Sequence, residues 1–307
     1  MEYVLQTFDI CKSYKNKNVL NKVNMNIEKG DIYGFVGENG SGKTTIIRLI
    51  TGLIHPNSGT FKLFGVDNTS SEIKQARSQI GAVVETPSIY KNMSAYENLK
   101  MQAEIIGGIS EERIKEVIEE VGLGYVYNDK KHADDYSLGM RQRLGIAMCL
   151  LGDVKFIILD EPMNGLDPQG IIEVRELILK LNKEKNITFL ISSHILTELS
   201  LVASKYGIIS KGKLIKEITA SEFLNANRKN LTLVVDDTVK LIEILSKEFD
   251  QKDVEIKNNL ITIYGDFNIN DLLSKIISND INIINIKTNE SNIEDYYISL
   301  IRGDHHD

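Results

Sequence analysis

The chain has 307 residues, with 36 Lys and Arg against 43 Asp and Glu and a formal net charge of −7 at pH 7. That acidic balance argues against a nucleic-acid footprint. The longest apolar runs, 156–159 and 281–286, are strand-sized, far short of the roughly 20 residues a membrane span needs. Residues 1–14 lack the apolar core of a secretory signal, so the expectation is a chain that stays in the cytosol unless a partner holds it at a membrane. Cys11 and Cys149 stand far apart in no metal-like or redox-like spacing and read as free thiols.

Polar and apolar positions alternate over 3–10 and 19–27, which predicts two half-buried antiparallel strands joined by a polar turn at 15–18. Residues 31–36 form a continuous apolar run, the pattern of a strand buried on both faces. A glycine-rich loop follows, then a helix over 44–51 stopped by Gly52, a strand over 59–64, a short helix over 70–78 and a strand over 80–84. From 94 to 151 the period is helical. Ser94 with Glu97 three residues on is a capping box, Ser110 opens a second amphipathic helix ending near Gly122, and 138–151 is a third. Alternation then returns, with strands over 156–159, 188–192 and 206–210 and helices over 169–184 and 196–203. Strands alternating with helices imply a parallel sheet covered on both faces, into which the helical stretch, about 86–151, is inserted.

The pattern changes after about residue 214. A strand from 231, a helix over 239–249, strands over 254–257 and 260–264, a helix over 270–278, a strand over 282–287 and a last helix over 293–301 give a βαββαβ order, that of a small ferredoxin-like domain. It carries no catalytic motif. The expected division is a main domain over 1–220 and an accessory or regulatory one over 221–307.

Three motifs carry chemistry. Gly37-Glu38-Asn39-Gly40-Ser41-Gly42-Lys43-Thr44 matches GxxxxGK[ST] between a buried strand and a helix, the context a phosphate-binding loop requires. Its glycines let backbone N–H groups turn inward to cradle phosphate oxygens at the positive end of the helix; Lys43 reaches the outer phosphates and Thr44 offers a hydroxyl to Mg²⁺. The buried run 156–159 ends in Asp160 and Glu161, the first placed to hold Mg²⁺ and the second to polarise a water. Ser137, at the start of the third insertion helix, reads as an N-cap and also as part of an anion site. His194 follows a buried strand on the ligand side of the sheet, although an isolated histidine is as readily structural, and Tyr14 could be an ordinary strand-end aromatic.

Taken in order, the phosphate loop, the Ser-x-Gly helix start, Leu159-Asp160-Glu161-Pro162, Asn164-Gly165-Leu166-Asp167-Pro168 and Ser192-Ser193-His194 resemble the ABC transporter ATP-binding subunits over residues 1 to about 215. The resemblance implies a P-loop NTPase core of ABC type, α/β, with an antiparallel β flank and a helical insertion, followed by the small α+β ferredoxin-like domain. It implies ATP and Mg²⁺ as cofactors, with Tyr14 stacking on adenine, 37–45 including Thr45 forming Walker A, and Asp160 and Glu161 forming Walker B. Residues 164–167, ending in Asp167, would be the D-loop and His194 the switch histidine. Ser137, Leu138 and Gly139 would be the signature that closes on ATP held by a second copy in a homodimer. A separately encoded transmembrane permease would hold the pair at the cytoplasmic face of the membrane.

Two departures stand out. The usual Leu-Ser-Gly-Gly-Gln signature is Tyr136-Ser137-Leu138-Gly139-Met140, and the Q-loop position holds Glu85. The resemblance implies that Glu85 can still bind metal or water in catalysis, while adding charge near Mg²⁺ where the family contacts its permease. Together with Ser192-Ser193-His194-Ile195-Leu196 these are similar to the bacitracin and lantibiotic immunity branch, implying export or membrane expulsion of a peptide antibiotic. The alternatives are another exported substrate or a sensor or regulatory ATPase subunit. A single phosphate loop is not the two-cassette pattern of translation-associated ABC ATPases, and the long heptad insertion of DNA-repair members is absent.

Overall fold

A computed structural model of the chain describes residues 2–15, 17–226, 229–250, 253–257, 260–265, 267–289, 297, 298 and 300. Strand β1 (Tyr3–Tyr14) pairs antiparallel with β2 (Lys17–Val23) over its second half and with β3 (Asn26–Glu28) over its first. The alternation over 19–27 therefore belongs to two strands. Asn24 separates them: its carboxamide accepts from the Asp9 N–H at 2.7 Å and donates to the Asp9 carboxylate and the Lys22 carbonyl. This side chain serves polar groups that a continuous ladder would otherwise engage.

Strand β4 (Ile32–Val36), buried along its whole length, runs into the glycine loop and α1 (Lys43–Thr51), which Gly52 ends in a left-handed conformation at φ 85°. Strands β5 (Ser58–Leu63) and β6 (Val66–Asp67) return beside β1 to complete a five-stranded antiparallel flank. Helix α2 (Ile73–Arg77) starts later than the sequence predicts, because the Asp67 carboxylate accepts from Thr69 and the Ser70 hydroxyl accepts from the Glu72 N–H, holding a turn. Strand β7 (Ile80–Val83) leads into the insertion, α3 (Ala95–Ile106), α4 (Glu111–Glu120) and α5 (Leu138–Leu150). Both halves of the Ser94–Glu97 capping box form. The chain then runs through β8 (Phe156–Asp160), α6 (Pro168–Lys185), β9 (Thr188–Ser193), α7 (Leu196–Leu199), β10 (Lys205–Ser210) and β11 (Lys213–Thr219).

The central sheet has the order β11-β10-β4-β9-β8-β7, with β10, β4, β9, β8 and β7 parallel and β11 antiparallel at the edge. Strands β4, β8 and β9 are buried at every position, as parallel strands covered on both faces must be. Ile46, Ile47 and Leu49 of α1 pack with Phe35, Phe156 and Leu190 of this sheet and with Leu5, Ile27 and Phe61 of the flank. Sequence reasoning missed β11. It is joined to β10 by Lys211 and Gly212, both at positive φ, the two-residue hairpin turn that suits strand twist. As an edge strand it buries only Ile218, so no apolar period announces it.

The chain divides into two units, Met1–Ala220 and Ser221–Asp307. After α8 (Ala220–Ala226), the second unit runs β12 (Asn230–Val235), α9 (Thr238–Leu245), β13 (Val254–Lys257), β14 (Leu260–Tyr264), α10 (Ile269–Ser278) and β15 (Ile283–Asn289). The sheet order is β13-β14-β12-β15 with every pair antiparallel, which is the βαββαβ ferredoxin-like arrangement. Leu231 and Leu233 of β12 and Ile261 and Ile263 of β14 pack under Leu241, Leu245, Leu272 and Ile276 of the helices. The last helix expected over 293–301 falls for the most part outside the described residues.

Candidate nucleotide and catalytic site

Because β4, β9, β8 and β7 are neighbours in that order and run parallel, the segments after them line up along one edge of the sheet, where open α/β sheets bind ligands. The glycine loop follows β4, His194 follows β9, Glu161 follows β8 and Glu85 follows β7. Residues distant in sequence reach one edge through topology alone.

The loop over 37–44 is shaped by contacts that leave no room for side chains. A Cβ on Gly37 would lie 2.4 Å from the Ile209 carbonyl and 2.6 Å from Ser41 Oγ, and Gly42 has φ +114° with a Cβ position 2.6 Å from Leu20. Glu38, Asn39 and Gly40 form the exposed crest, Ser41, Gly42 and Lys43 are buried, and Thr44 and Thr45 are half-buried in the first turn of α1. The Lys43 ammonium donates to the Gly37 carbonyl at 2.6 Å and the Glu38 carbonyl at 3.3 Å, and lies 3.3 Å from Glu161 Oε1. Ser41 Oγ is buried with no partner among the described residues. A loop with a buried cation and an unused hydroxyl at a helix start is a site for an anion.

The acid pair is held by a residue the sequence analysis gave no role. Ser192, fully buried on β9, donates its hydroxyl to Asp160 Oδ1 and accepts from the Glu161 N–H at 3.0 Å. The signal was its place in the Ser-Ser-His run beside a strand ending in acids. Glu161 has φ +52°, an uncommon conformation for a side-chain-bearing residue that recurs where function constrains the backbone. Its Oε2 lies 2.7 Å from His194 Nδ1. An ionised carboxylate only accepts, so Nδ1 carries the hydrogen and Nε2 remains the second nitrogen for an outside partner. Lys43, Glu161 and His194 thus form one chain of contacts. Glu198 of α7 is a further acid beside them: burial raises its carboxyl above the ordinary range, His194 pulls it back and the Glu161 charge pushes it up.

Asp160 is 2% exposed, and its Oδ2 has no hydrogen-bond partner. An unsatisfied buried carboxylate oxygen beside a threonine-bearing helix start fits a hard cation with oxygen ligands. Among the described residues no three His, Cys, Asp or Glu gather as an all-protein metal cage; a small divalent ion shared with phosphates needs none.

The remaining predicted residues lie apart from that chain of contacts. Glu85, at φ +64°, is exposed and its carboxylate is bound by the Arg48 guanidinium of α1. Ser137 caps α5, accepting from the Met140 N–H at 3.1 Å, and Asp167 caps α6, accepting from the Gly170 N–H at 3.1 Å. These two helix starts meet: a Cβ on Gly139 would lie 3.4 Å from Gly170 Cα. Tyr14, at the end of β1, exposes 44% of its surface, with Lys12 Nζ 5.3 Å from the ring centre.

The fold and this edge define a phosphate-loop ATPase, and comparison with known proteins gives the family. The ABC transporter family model matches residues 20–164. The bacitracin transport ATP-binding protein BcrA of Bacillus licheniformis is 42% identical over 305 residues, covering 99% of each chain. The lantibiotic transport ATP-binding protein SrtF of Streptococcus pyogenes is 44% identical over 223 residues, 72% of this chain and 94% of that one. Among solved structures, an ATP-binding cassette of an ABC transporter in its ADP conformation is 27% identical at a TM-score of 0.65, covering 81% of this chain and all of that one. The cbiO1 protein of Clostridium perfringens, at 24% identity and a TM-score of 0.66 over 81% of this chain and 96% of that one, shares the fold. The chain belongs to the ABC transporter ATP-binding proteins. It binds and hydrolyses ATP, and among the described residues no helix is long and apolar enough to cross a membrane.

Proposed function

We propose that this chain drives export, or expulsion from the membrane, of a peptide antibiotic of the bacitracin or lantibiotic kind, as a homodimer docked on a separately encoded permease at the cytoplasmic face. The observation that carries the substrate class is the reach of the similarity. The B. licheniformis bacitracin transport protein matches over 99% of both chains, second unit included, whereas the lantibiotic relative matches 72% of this one. Glu85, the 136–140 run and the 192–196 run support the same branch.

In this reading the N–H groups of 37–44 and the Lys43 ammonium neutralise phosphate charge, and Tyr14 stacks on adenine. Thr44 and the unpartnered Oδ2 of Asp160 would hold Mg²⁺, with Glu85 as a further candidate ligand, and the ion would supply charge neutralisation across the outer phosphates. Phosphate arriving at Lys43 competes with Glu161 for the ammonium, which releases the carboxylate to orient the attacking water. His194, held at Nδ1 by Glu161, turns its other ring nitrogen toward the terminal phosphate, which it binds in the form that carries a hydrogen on both nitrogens and so can donate from Nε2. Ser137, Gly139 and Asp167 close over ATP held by the second copy, and closure moves the permease.

The test is peptide-antibiotic susceptibility of host cells that carry the neighbouring permease with either wild-type protein or Glu161→Gln. Protection by wild type alone supports the reading, and the protective peptide identifies the substrate. Equal sensitivity to every bacitracin-like and lantibiotic peptide, with purified protein still hydrolysing ATP, sinks the substrate class and leaves the ATPase standing.

A further inference from the structure

Glu85 is the departure that the hydrolytic chain of contacts leaves unused. It stands two residues beyond β7 in a left-handed conformation, in a turn closed by the Thr86 N–H donating to the Val84 carbonyl at 2.8 Å. Its carboxylate meets Arg48 on α1. Arg48 follows Thr44 by four residues, and side chains four apart on a helix lie on one face, about one turn or ~5–6 Å apart. One face of α1 therefore carries a hydroxyl suited to a divalent ion at one level and a guanidinium at the next. The side chains of Arg48 and Glu85 are 40% and 60% exposed, so the ion pair is of the solvated kind that is weak and readily exchanged.

We propose that Arg48 competes with the Mg²⁺-bearing turn of α1 for the Glu85 carboxylate, and so sets how strongly Glu85 engages bound nucleotide. Arg48 is then a positioning residue, acting through Glu85, and the inference rests on the reading of Thr44 and Asp160 as the metal side of the site. The competition needs the charge that Glu85 carries. A glutamine there has no ionic attraction to Arg48, so the substitution of Glu for Gln is what turns an ordinary helix arginine into a competitor. Freed from Arg48, a carboxylate strengthens nucleotide binding when Mg²⁺ is present to receive it and weakens binding when only phosphate charge faces it.

Equilibrium titration of the full chain with the fluorescent nucleotide mant-ATP, once with Mg²⁺ and once with EDTA, tests this. The measured quantity is the ratio of the two dissociation constants, EDTA over Mg²⁺. Arg48→Gln raises that ratio about two- to fivefold, the range an exposed ion pair commands. Arg48→Lys, which keeps the charge, holds the ratio near the wild-type value. Adding Glu85→Gln to Arg48→Gln removes the rise. An arginine that merely supports the fold shifts both constants in parallel, so a constant ratio in Arg48→Gln, or a rise that survives Glu85→Gln, overturns the proposal. Wild-type protein that binds the probe in neither condition overturns the reading of the site itself, an outcome distinct from a constant ratio.

Discussion

The two units spend their polar residues differently. Among the described residues every buried polar or charged side chain lies in the first unit, including Ser41, Lys43, Asp160, Ser192 and Ser193 along the carboxyl edge of the sheet. Two of these, Ser41 and Asp160, leave an oxygen unpartnered, and Glu85 and Glu161 hold positive φ on the same edge. The second unit has an apolar core of Leu, Ile and Val under two helices, with its polar groups at the surface. Unsatisfied buried carboxylate and hydroxyl oxygens are unfavourable and persist where function requires them. The contrast locates the chemistry in one unit and makes the other a packing solution with a surface to offer.

The sharpest way to break that contrast is to separate chemistry from packing by substitution. Glu161→Gln keeps the shape of the site and removes the group that orients water, so hydrolysis falls by ~10²–10⁴-fold while ATP affinity is kept. Phosphate release and nucleotide titration on the same preparation measure both. Turnover at the wild-type rate would remove Glu161 from the role of base. In the second unit the corresponding blow is to packing. Leu241, fully buried on α9, costs that unit about 2–5 kcal/mol when cut to alanine. Calorimetry should show the loss while ATP hydrolysis by the first unit stays at its wild-type rate. A parallel fall in hydrolysis would mean that the two units are energetically coupled.

The same contrast explains what could be read in advance. The phosphate loop, the acid pair and the Ser-Ser-His run are local in sequence and sit at strand ends, so the pattern of buried strands placed them on one edge. Ser192 as the clamp between Asp160 and Glu161, and Arg48 as the partner of Glu85, were not legible, because each depends on which strands and helices become neighbours. Glu198 escaped for the same reason. Strand β11 was invisible because an edge strand has one buried residue and no period. In the second unit the alternation over 231–264 was strong enough to show the strand order, since each strand there has one buried and one solvated face.

A pH titration sharpens the comparison at a smaller scale. In the second unit the Asn282 side chain and N–H hold the Asp236 carboxyl below its ordinary range, and Lys257 with Tyr264 does the same for Glu255. A depressed carboxyl contributes stability that is present above its unfolded pKa, about 4, and is lost as pH falls through the lower folded value. In the first unit burial raises Asp31 above its ordinary range, which has the opposite sign: its folded form retains the proton and loses stability as pH rises. The first unit mixes the two signs, because hydrogen bonds hold Asp67, Glu97 and Glu112 below their ordinary range. On acidification Asp236 and Glu255 should withdraw stability from the second unit, and Asp236→Asn should flatten that loss. A second unit whose melting temperature is unchanged down to about pH 3 would contradict the assignment.

The smallest expected effect concerns the thiols, both in the first unit. Cys149 lies on α5 beside β7, so close that a Cβ on Gly81 would fall 2.4 Å from its own, and it lines a groove of about 460 Å³. Burial pushes its thiol up to about 12, with one hydrogen bond to the Ala82 backbone pulling the other way. The thiolate is the reactive form, so at neutral pH such a group is close to inert. Cys11, half-buried on the flank, accepts from the Lys22 N–H at 3.3 Å. Iodoacetamide on the native protein should therefore modify Cys11 well before Cys149, and both at similar rates in denaturant, as peptide mass spectrometry can follow. If Cys149 reacts as fast as Cys11 in the native chain, burial beside β7 does not hold its thiol up.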